Sequence, residues 1–312
     1  MRVVLLGYQA WGRRSLEALL QRPDTSVALV ITHPDGEDPY EQVWTDSIRE
    51  PARTAGIEVV ELPDREDGAL KRLLETAEAD VLIASNWRSR VPPDVLSLVP
   101  LGGINIHDAL LPRYGGFAPL NWAIARGEAD VGVSAHVMSQ ALDLGDLIVQ
   151  EVLPVGPDET AREVAERVFE RVGPVTVAAL DRLATPGFVP APQSRERSTM
   201  FHRRTVADSR IDWSRPAREV HDLVRAQADP YPNAFTTHEG RRLFVQRSSL
   251  PSRAYCGTPG RVACLSCGGA VVICGRGPGG DNQGVVLHRV APEGDGPIDA
   301  ADYFTEAGAD LR

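Results

Sequence analysis

Gly103-Ile104-Asn105-Ile106-His107-Asp108-Ala109-Leu110-Leu111-Pro112 begins as a strand and ends as a turn. Side chains two apart on a strand share a face, so Ile104 and Ile106 point into one layer while Asn105 and His107 project together from the other. The run breaks at Asp108 and Pro112, which leaves an amide and an imidazole where a strand ends. Upstream, short apolar runs at 3–7, 27–32, 57–62 and 81–85 are separated by helical spacings: Leu16, Leu19 and Leu20, then Ile48 and Ala55, then Leu70, Leu73 and Leu74. Strands alternating with helices predict an α/β domain built on a doubly wound, mostly parallel sheet. Right-handed crossovers carry the active residues of such a sheet to the carboxyl ends of its strands.

Downstream the pattern changes. Segments 131–137 and 147–155 read as two strands with a short connection, and a long helix is expected over 160–183. The stretch 186–203 is rich in Pro, Ser and Arg, lacks periodicity and reads as a linker. A helical piece near 220–226 then leads into short apolar runs punctuated by Gly and Pro, the pattern of a small β-barrel or sandwich. The expected division is a catalytic domain over 1–188, a linker over 189–204 and a second domain over 205–312.

Bulk properties narrow the classes of partner. The 312 residues carry a formal net charge of −10, and 43% are hydrophobic. No run approaches the roughly 20 apolar residues of a membrane span. The first strand is too short for a signal peptide, so a cytoplasmic enzyme with no membrane partner is expected. Lys71 is the one lysine in the chain. Nucleic acid is disfavoured, because phosphate-dependent binding usually needs a basic surface. The four cysteines, Cys256, Cys264, Cys267 and Cys274, lie near the C-terminus. The Cys264–Cys267 spacing suits zinc, but no second well-spaced pair flanks it, and the apolar alternation around these residues favours burial over a metal. No metal is expected.

The run from Asn105 to Ile124, N-I-H-D-A-L-L-P-R-Y-G-G-F-A-P-L-N-W-A-I, resembles the signature of the folate-dependent formyltransferases. Gly132-Val133-Ser134-Ala135-His136-Val137-Met138, leading to Leu142-Asp143-Leu144-Gly145-Asp146, resembles that family's second motif. Segments 201–205, 211–213 and 229–232 resemble the start of its C-terminal domain. The resemblance spans nearly the whole chain and implies a Rossmann-like domain followed by an OB-like β-barrel domain.

It also implies an activity and a site. A formyl group passes from 10-formyltetrahydrofolate, the donor co-substrate, to an amine. Asn105 would donate to the formyl oxygen as it becomes an oxyanion. His107 would take the amine proton or support the tetrahedral intermediate, and Asp143, chosen over Asp146, would hold and polarise His107 or relay the proton. The folate would lie against Trp87, Arg88, Ser89, Arg90 and Val91 and the segment Gln140, Ala141 and Leu142. Tyr8 and Gln9, in the turn after the first strand, together with Asp108 and Tyr114, would meet the acceptor. Ala109 and Gly115 depart from the family's serine and arginine, which points to a remodelled acceptor pocket.

Three rival activities compete for the same residues. Gly7-Tyr8-Gln9-Ala10-Trp11-Gly12 is not the G-x-G-x-x-G of a nicotinamide dehydrogenase. Family members acting on initiator tRNA carry a basic loop where this chain has Asp35, Glu37, Asp38 and Glu41 between 33 and 41, without Lys or Arg. A hydrolase of the folate would use the same triad and stays open. The favoured acceptor is a small amine. The acidic loop, Asp108 and Gly115 suit N5-hydroxyornithine, as in siderophore assembly, ahead of a nucleotide-linked amino sugar.

Overall fold

The computed structural model describes residues 1–36, 44, 46–63, 67–266, 268–277 and 282–312. The chain forms two compact units: Met1–Pro119 with Asp130–Pro154 and Ala165–His202, and Leu120–Ala129 with Val155–Val164 and Arg203–Arg312.

The first unit alternates strands with helices: β1 (Arg2–Gly7), α1 (Gln9–Leu20), β2 (Ser26–Thr32), α2 (Arg49–Thr54), β3 (Val59–Glu61), α3 (Asp67–Ala77), β4 (Val81–Ser85), α4 (Pro93–Leu96) and β5 (Gly103–His107). It continues with β6 (Gly115–Gly116), α5 (Pro119–Ala125), β7 (Asp130–Val137), β8 (Leu147–Pro154), α6 (Ala161–Ala184) and β9 (Met200–Phe201), of which α5 and α6 also supply residues to the second unit. Seven strands form one sheet in the order β3-β2-β1-β4-β5-β7-β8. The first five in that order run parallel, and β7 lies antiparallel to both β5 and β8. The strand order reverses direction between β1 and β4, the point where open sheets of this kind leave a crevice at the carboxyl ends of their strands.

The central strands are buried on both faces, which is why β1 and β4 are continuous apolar runs rather than alternating ones. Leu70 and Leu74 of α3 pack with Val4, Leu6, Ile31 and Leu82 in one core layer. On α1, buried Ser15 donates to Ser85 Oγ at 3.0 Å and pairs with Thr176 of α6, also at 3.0 Å. Each fully buried Leu or Ile contributes about 1.5–3 kcal/mol, so these layers fix the sheet on which the site is built. A Cβ on Gly7 would stand 2.6 Å from Ile48 and 3.0 Å from the Gly12 backbone. The two glycines therefore serve close strand–helix packing.

Stretch 186–203 joins the units but is not slack. Ala191 exchanges two backbone hydrogen bonds with Leu147, at 2.7 and 2.8 Å, and β9 pairs in parallel with β6. Absent periodicity hid this, because a two-residue strand has no period to read.

The second unit holds α7 (Ala217–Ala226), β10 (Ala234–His238), β11 (Arg241–Ser249), β12 (Val262–Ser266), β13 (Gly269–Ile273), β14 (Gly284–Pro292), β15 (Ile298–Asp299) and α8 (Ala300–Tyr303). Its six-stranded antiparallel sheet runs β10-β11-β14-β13-β12, with β15 beside β14. Val220 and Val224 of α7 close its core against Leu243, Val245 and Leu287. Cys274 is buried there, and burial pushes its thiol up to about 12. Cys264 is half-buried, Cys256 is exposed and Cys267 lies outside the described residues. Among the described residues no helix is long and apolar enough to cross a membrane.

Candidate active site

A cavity of about 370 Å³ opens where β4 and β5 end, lined by Asn105, His107, Asp108 and Asp143 together with the loop after β4. Asn105 and His107 leave β5 on the same face, as the strand period requires. Register then adds a residue that the sequence analysis did not single out. Asn105 sits opposite His136 across the antiparallel β5–β7 pair. The Asn105 amide nitrogen lies 3.1 Å from His136 Nε2 and 3.3 Å from Asp143 Oδ1. His136 Nδ1 is 2.9 Å from the Val137 carbonyl. A carbonyl can only accept, so Nδ1 carries the proton and Nε2 receives the Asn105 amide. The available signal was the alternation of β7, which sends His136 to the same face as Ser134 and the β5 pair.

His107 is buried, and its Nε2 donates to the Tyr114 carbonyl at 3.0 Å. In the neutral ring that leaves Nδ1 unprotonated. Asp143 meets His107 without a hydrogen bond: Nε2 to Oδ2 is 4.0 Å, a through-space charge contact. Asp143 Oδ2 instead receives the Gly116 amide at 2.8 Å. Asp143 is 5% exposed with φ of +52°, in the left-handed region that side chains rarely adopt. Asp146 is exposed.

Electrostatics couple the three ionisable groups. Burial pushes the Asp143 carboxyl up, but His107 foremost, and the Gly116 amide, overcome it and hold the group well below the usual carboxylate range. Burial pulls His107 down, yet Asp143, then Asp108, and the Tyr114 carbonyl leave it raised. Burial dominates at Asp108 and raises its carboxyl against the pull of His107. The His107 and Asp143 shifts are coupled: a charge on His107 favours the Asp143 carboxylate, and that carboxylate favours a charge on His107.

Trp87, Arg88, Ser89, Arg90, Val91, Ala141 and Leu142 all line the cavity. Trp87 stacks on buried His33 with centroids 3.8 Å apart, and His33 Nε2 accepts the Arg88 backbone amide at 3.3 Å. Gln140 is exposed and does not line the cavity. Met138, Ser139, Phe117 and Ala118, unmarked in the sequence reading, do.

Of the residues expected at the acceptor, Asp108 alone faces this space; Tyr8, Gln9 and Tyr114 do not line it. Tyr8 is 3% exposed, with Arg88 lying 4.5 Å from its ring centroid. Gln9 meets Asn86 at 3.5 Å. Tyr114 is buried and stacks on Phe201 at 5.0 Å. Gln9 itself is half-buried. Asp35 pairs with Arg49 at 3.1 Å. Glu37, Asp38 and Glu41 lie outside the described residues.

This arrangement of Asn, His and Asp at the edge of a doubly wound sheet coincides with two family matches. Residues 1–180 match the formyl transferase domain and 204–308 match the formyl transferase C-terminal domain. The chain belongs to the formyl transferase family. It is 34% identical over 301 residues to methionyl-tRNA formyltransferase of Anaeromyxobacter dehalogenans, covering 94% of this chain and 93% of that one. The Trichlorobacter lovleyi methionyl-tRNA formyltransferase is 29% identical, with 97% and 93% covered.

Solved structures share the fold. An N-formyltransferase from Helicobacter canadensis, in complex with folinic acid and dTDP-3-aminofucose, superposes with a TM-score of 0.68 at 17% identity, over 91% of this chain and 98% of that one. HypX of Aquifex aeolicus in complex with tetrahydrofolic acid gives 0.59 at 19% identity over 97% of this chain. The formyltransferase spans 46% of HypX, about half its length.

Proposed function

We propose that this formyltransferase carries the formyl group of 10-formyltetrahydrofolate to a small amine that bears a second, cationic group, with N5-hydroxyornithine as the favoured acceptor. The observation that carries this reading is Asp108, which lines the same cavity as Asn105, His107 and Asp143. A half-buried carboxyl beside the reacting centre, partly withdrawn from water, gains from an ammonium partner. Residues 1–188 form the catalytic portion in this reading, and the C-terminal portion from 205 is taken as OB-like.

The proposed chemistry takes His107 in its charged form, the form that the Asp143 charge favours. The acceptor nitrogen adds to the formyl carbon and the carbonyl oxygen becomes an oxyanion. Charged His107 supplies an Nδ1 proton to it, and Asp143, 4.0 Å from the ring, favours that charge. Both Asn105 amide hydrogens are engaged, so its donation to the oxyanion must displace a contact, and the 3.3 Å one to Asp143 is the longer. Collapse of the tetrahedral adduct returns the Nδ1 proton to His107 as the carbonyl re-forms and breaks the bond to folate N10, which leaves with the proton that the acceptor nitrogen gives up. A hydroxylamine nitrogen is less basic than an alkylamine and arrives unprotonated, which suits a site whose histidine is charged. Trp87 and the loop through Val91 would hold the pterin.

A second reading, formylation of initiator methionyl-tRNA, is favoured by the 34% identity to the Anaeromyxobacter enzyme over most of both chains. A turnover assay with 10-formyltetrahydrofolate against hydroxyornithine, dTDP- and UDP-amino sugars, charged initiator tRNA and water separates the readings. Preference for tRNA or an amino sugar removes the cationic-amine proposal and leaves formyl transfer standing.

A further inference from the structure

Segment 189–203 reaches Asp143 from two directions. Gln193 is half-buried, and its amide nitrogen donates to the carbonyl of Asp143 at 2.9 Å and to that of Gly145 at 2.6 Å. Its own Oε1 is buried and takes no hydrogen bond among the described residues. An unsatisfied buried oxygen is costly, so the amide is turned toward those two carbonyls at the expense of its other end. The turn it bridges is constrained elsewhere too. Asp143 has φ of +52°, and a Cβ on Gly145 would run into the Val137 carbonyl.

The same segment also fixes the other end of Asp143. Thr199 Oγ1 accepts the Tyr114 amide at 2.9 Å, the Thr199 carbonyl accepts the Gly115 amide at 2.9 Å, and the Phe201 carbonyl accepts the Phe117 amide at 3.1 Å. Those contacts hold Gly116, whose amide donates to Asp143 Oδ2. A Cβ on Gly116 would meet the Phe201 carbonyl, so the approach leaves no slack.

We infer that Gln193 is a positioning residue for formyl transfer: by clamping the Asp143–Gly145 turn it sets where the Asp143 carboxylate stands relative to His107. This rests on the reading of Asp143 as part of the transfer chemistry. Gln193 touches neither co-substrate in this assignment, and it acts entirely through Asp143.

The test is a double-mutant cycle on the full chain with the most active amine acceptor. Gln193→Met keeps length and removes both donors; it should lower kcat by roughly 10-fold while the folate KM stays within about 2-fold. Added to Asp143→Asn, it should lower kcat by less than about 2-fold more, because a clamp has nothing to position once the carboxylate is gone.

Gln193→Glu supplies a second readout and covers the case in which Gln193→Met does not fold. Its carboxylate would face two carbonyls, whereas the protonated acid can donate to one. Its kcat relative to the native enzyme should therefore recover as pH falls. Full multiplicativity in the cycle, or a kcat deficit in Gln193→Glu independent of pH, overturns the inference in favour of a packing role. Native kcat in Gln193→Met overturns it outright. If Asp143→Asn alone retains native turnover, the catalytic reading of Asp143 fails first and the clamp with it; an impaired Asp143→Asn beside an unaffected Gln193→Met sinks the clamp alone.

Discussion

His107 Nε2 and Asp143 Oδ2 face each other at 4.0 Å without a hydrogen bond, because the Tyr114 carbonyl holds the nitrogen and the Gly116 amide holds the oxygen. Their interaction is therefore mainly charge on charge, and it raises the imidazole against the lowering by burial. His107 should titrate above the ordinary histidine value of about 6.5, followed by NMR of the imidazole signals. Asp143→Asn should move that titration down, and Asp108→Asn should move it down by less. A group whose pKa is higher folded than unfolded stabilises most below its unfolded value and loses that contribution as pH rises through the folded one. The melting-temperature advantage of the native chain over His107→Gln should thus shrink as pH is raised above about 6.5. A His107 titration unmoved by Asp143→Asn would show that the carboxylate does not charge the ring.

Removing the donors should act on turnover rather than on donor binding. His107→Ala and Asn105→Ala are each expected to lower kcat by roughly 10²-fold or more, with folate binding retained. Asp143→Asn should act in the same direction, and exposed Asp146→Asn should be milder. Near-native turnover in His107→Ala would sink the oxyanion role.

The donor prediction rests on Trp87, held in a stack with His33. A folate analogue should quench tryptophan fluorescence, and Trp87→Phe should remove most of that change while the signals of Trp11, Trp44, Trp122 and Trp213 remain. NAD should produce none. Undiminished quenching in Trp87→Phe would place the pterin elsewhere.

Much of this was legible in the sequence because strand periodicity and end signals are local. The apolar runs of β1 and β4, the i, i+2 placement of Asn105 and His107, and the helix over 160–183 follow from spacing alone. What stayed hidden is long-range. His136 enters through cross-strand register with Asn105, Gln193 through a contact 50 residues away in sequence, and Thr199 through one 85 residues away. No period marks such partners. Burial is equally hard to read locally: Tyr8 and Tyr114 are both buried, and a large aromatic ring near a site is as readily packed as exposed to a ligand.

The acceptor prediction turns on Asp108. Asp35 is paired with Arg49, so its share of any negative field at the mouth is partly cancelled and the discriminating charge falls to the carboxyl inside the cavity. Burial raises that carboxyl, and an ammonium beside it would restore the ionised form, so amine binding should tighten as pH rises through the Asp108 titration. Asp108→Asn should weaken the amine, read as KM, by about 1–3 kcal/mol if the contact is direct, and should abolish this pH dependence. The folate KM should barely move if, as proposed, the pterin lies against the loop after β4. Since the substitution also removes a charge that favours protonated His107, kcat should fall modestly alongside, and KM should change more than kcat. If Asp108→Asn leaves the amine KM and its pH dependence intact, the cationic-acceptor reading fails while formyl transfer from the folate is untouched.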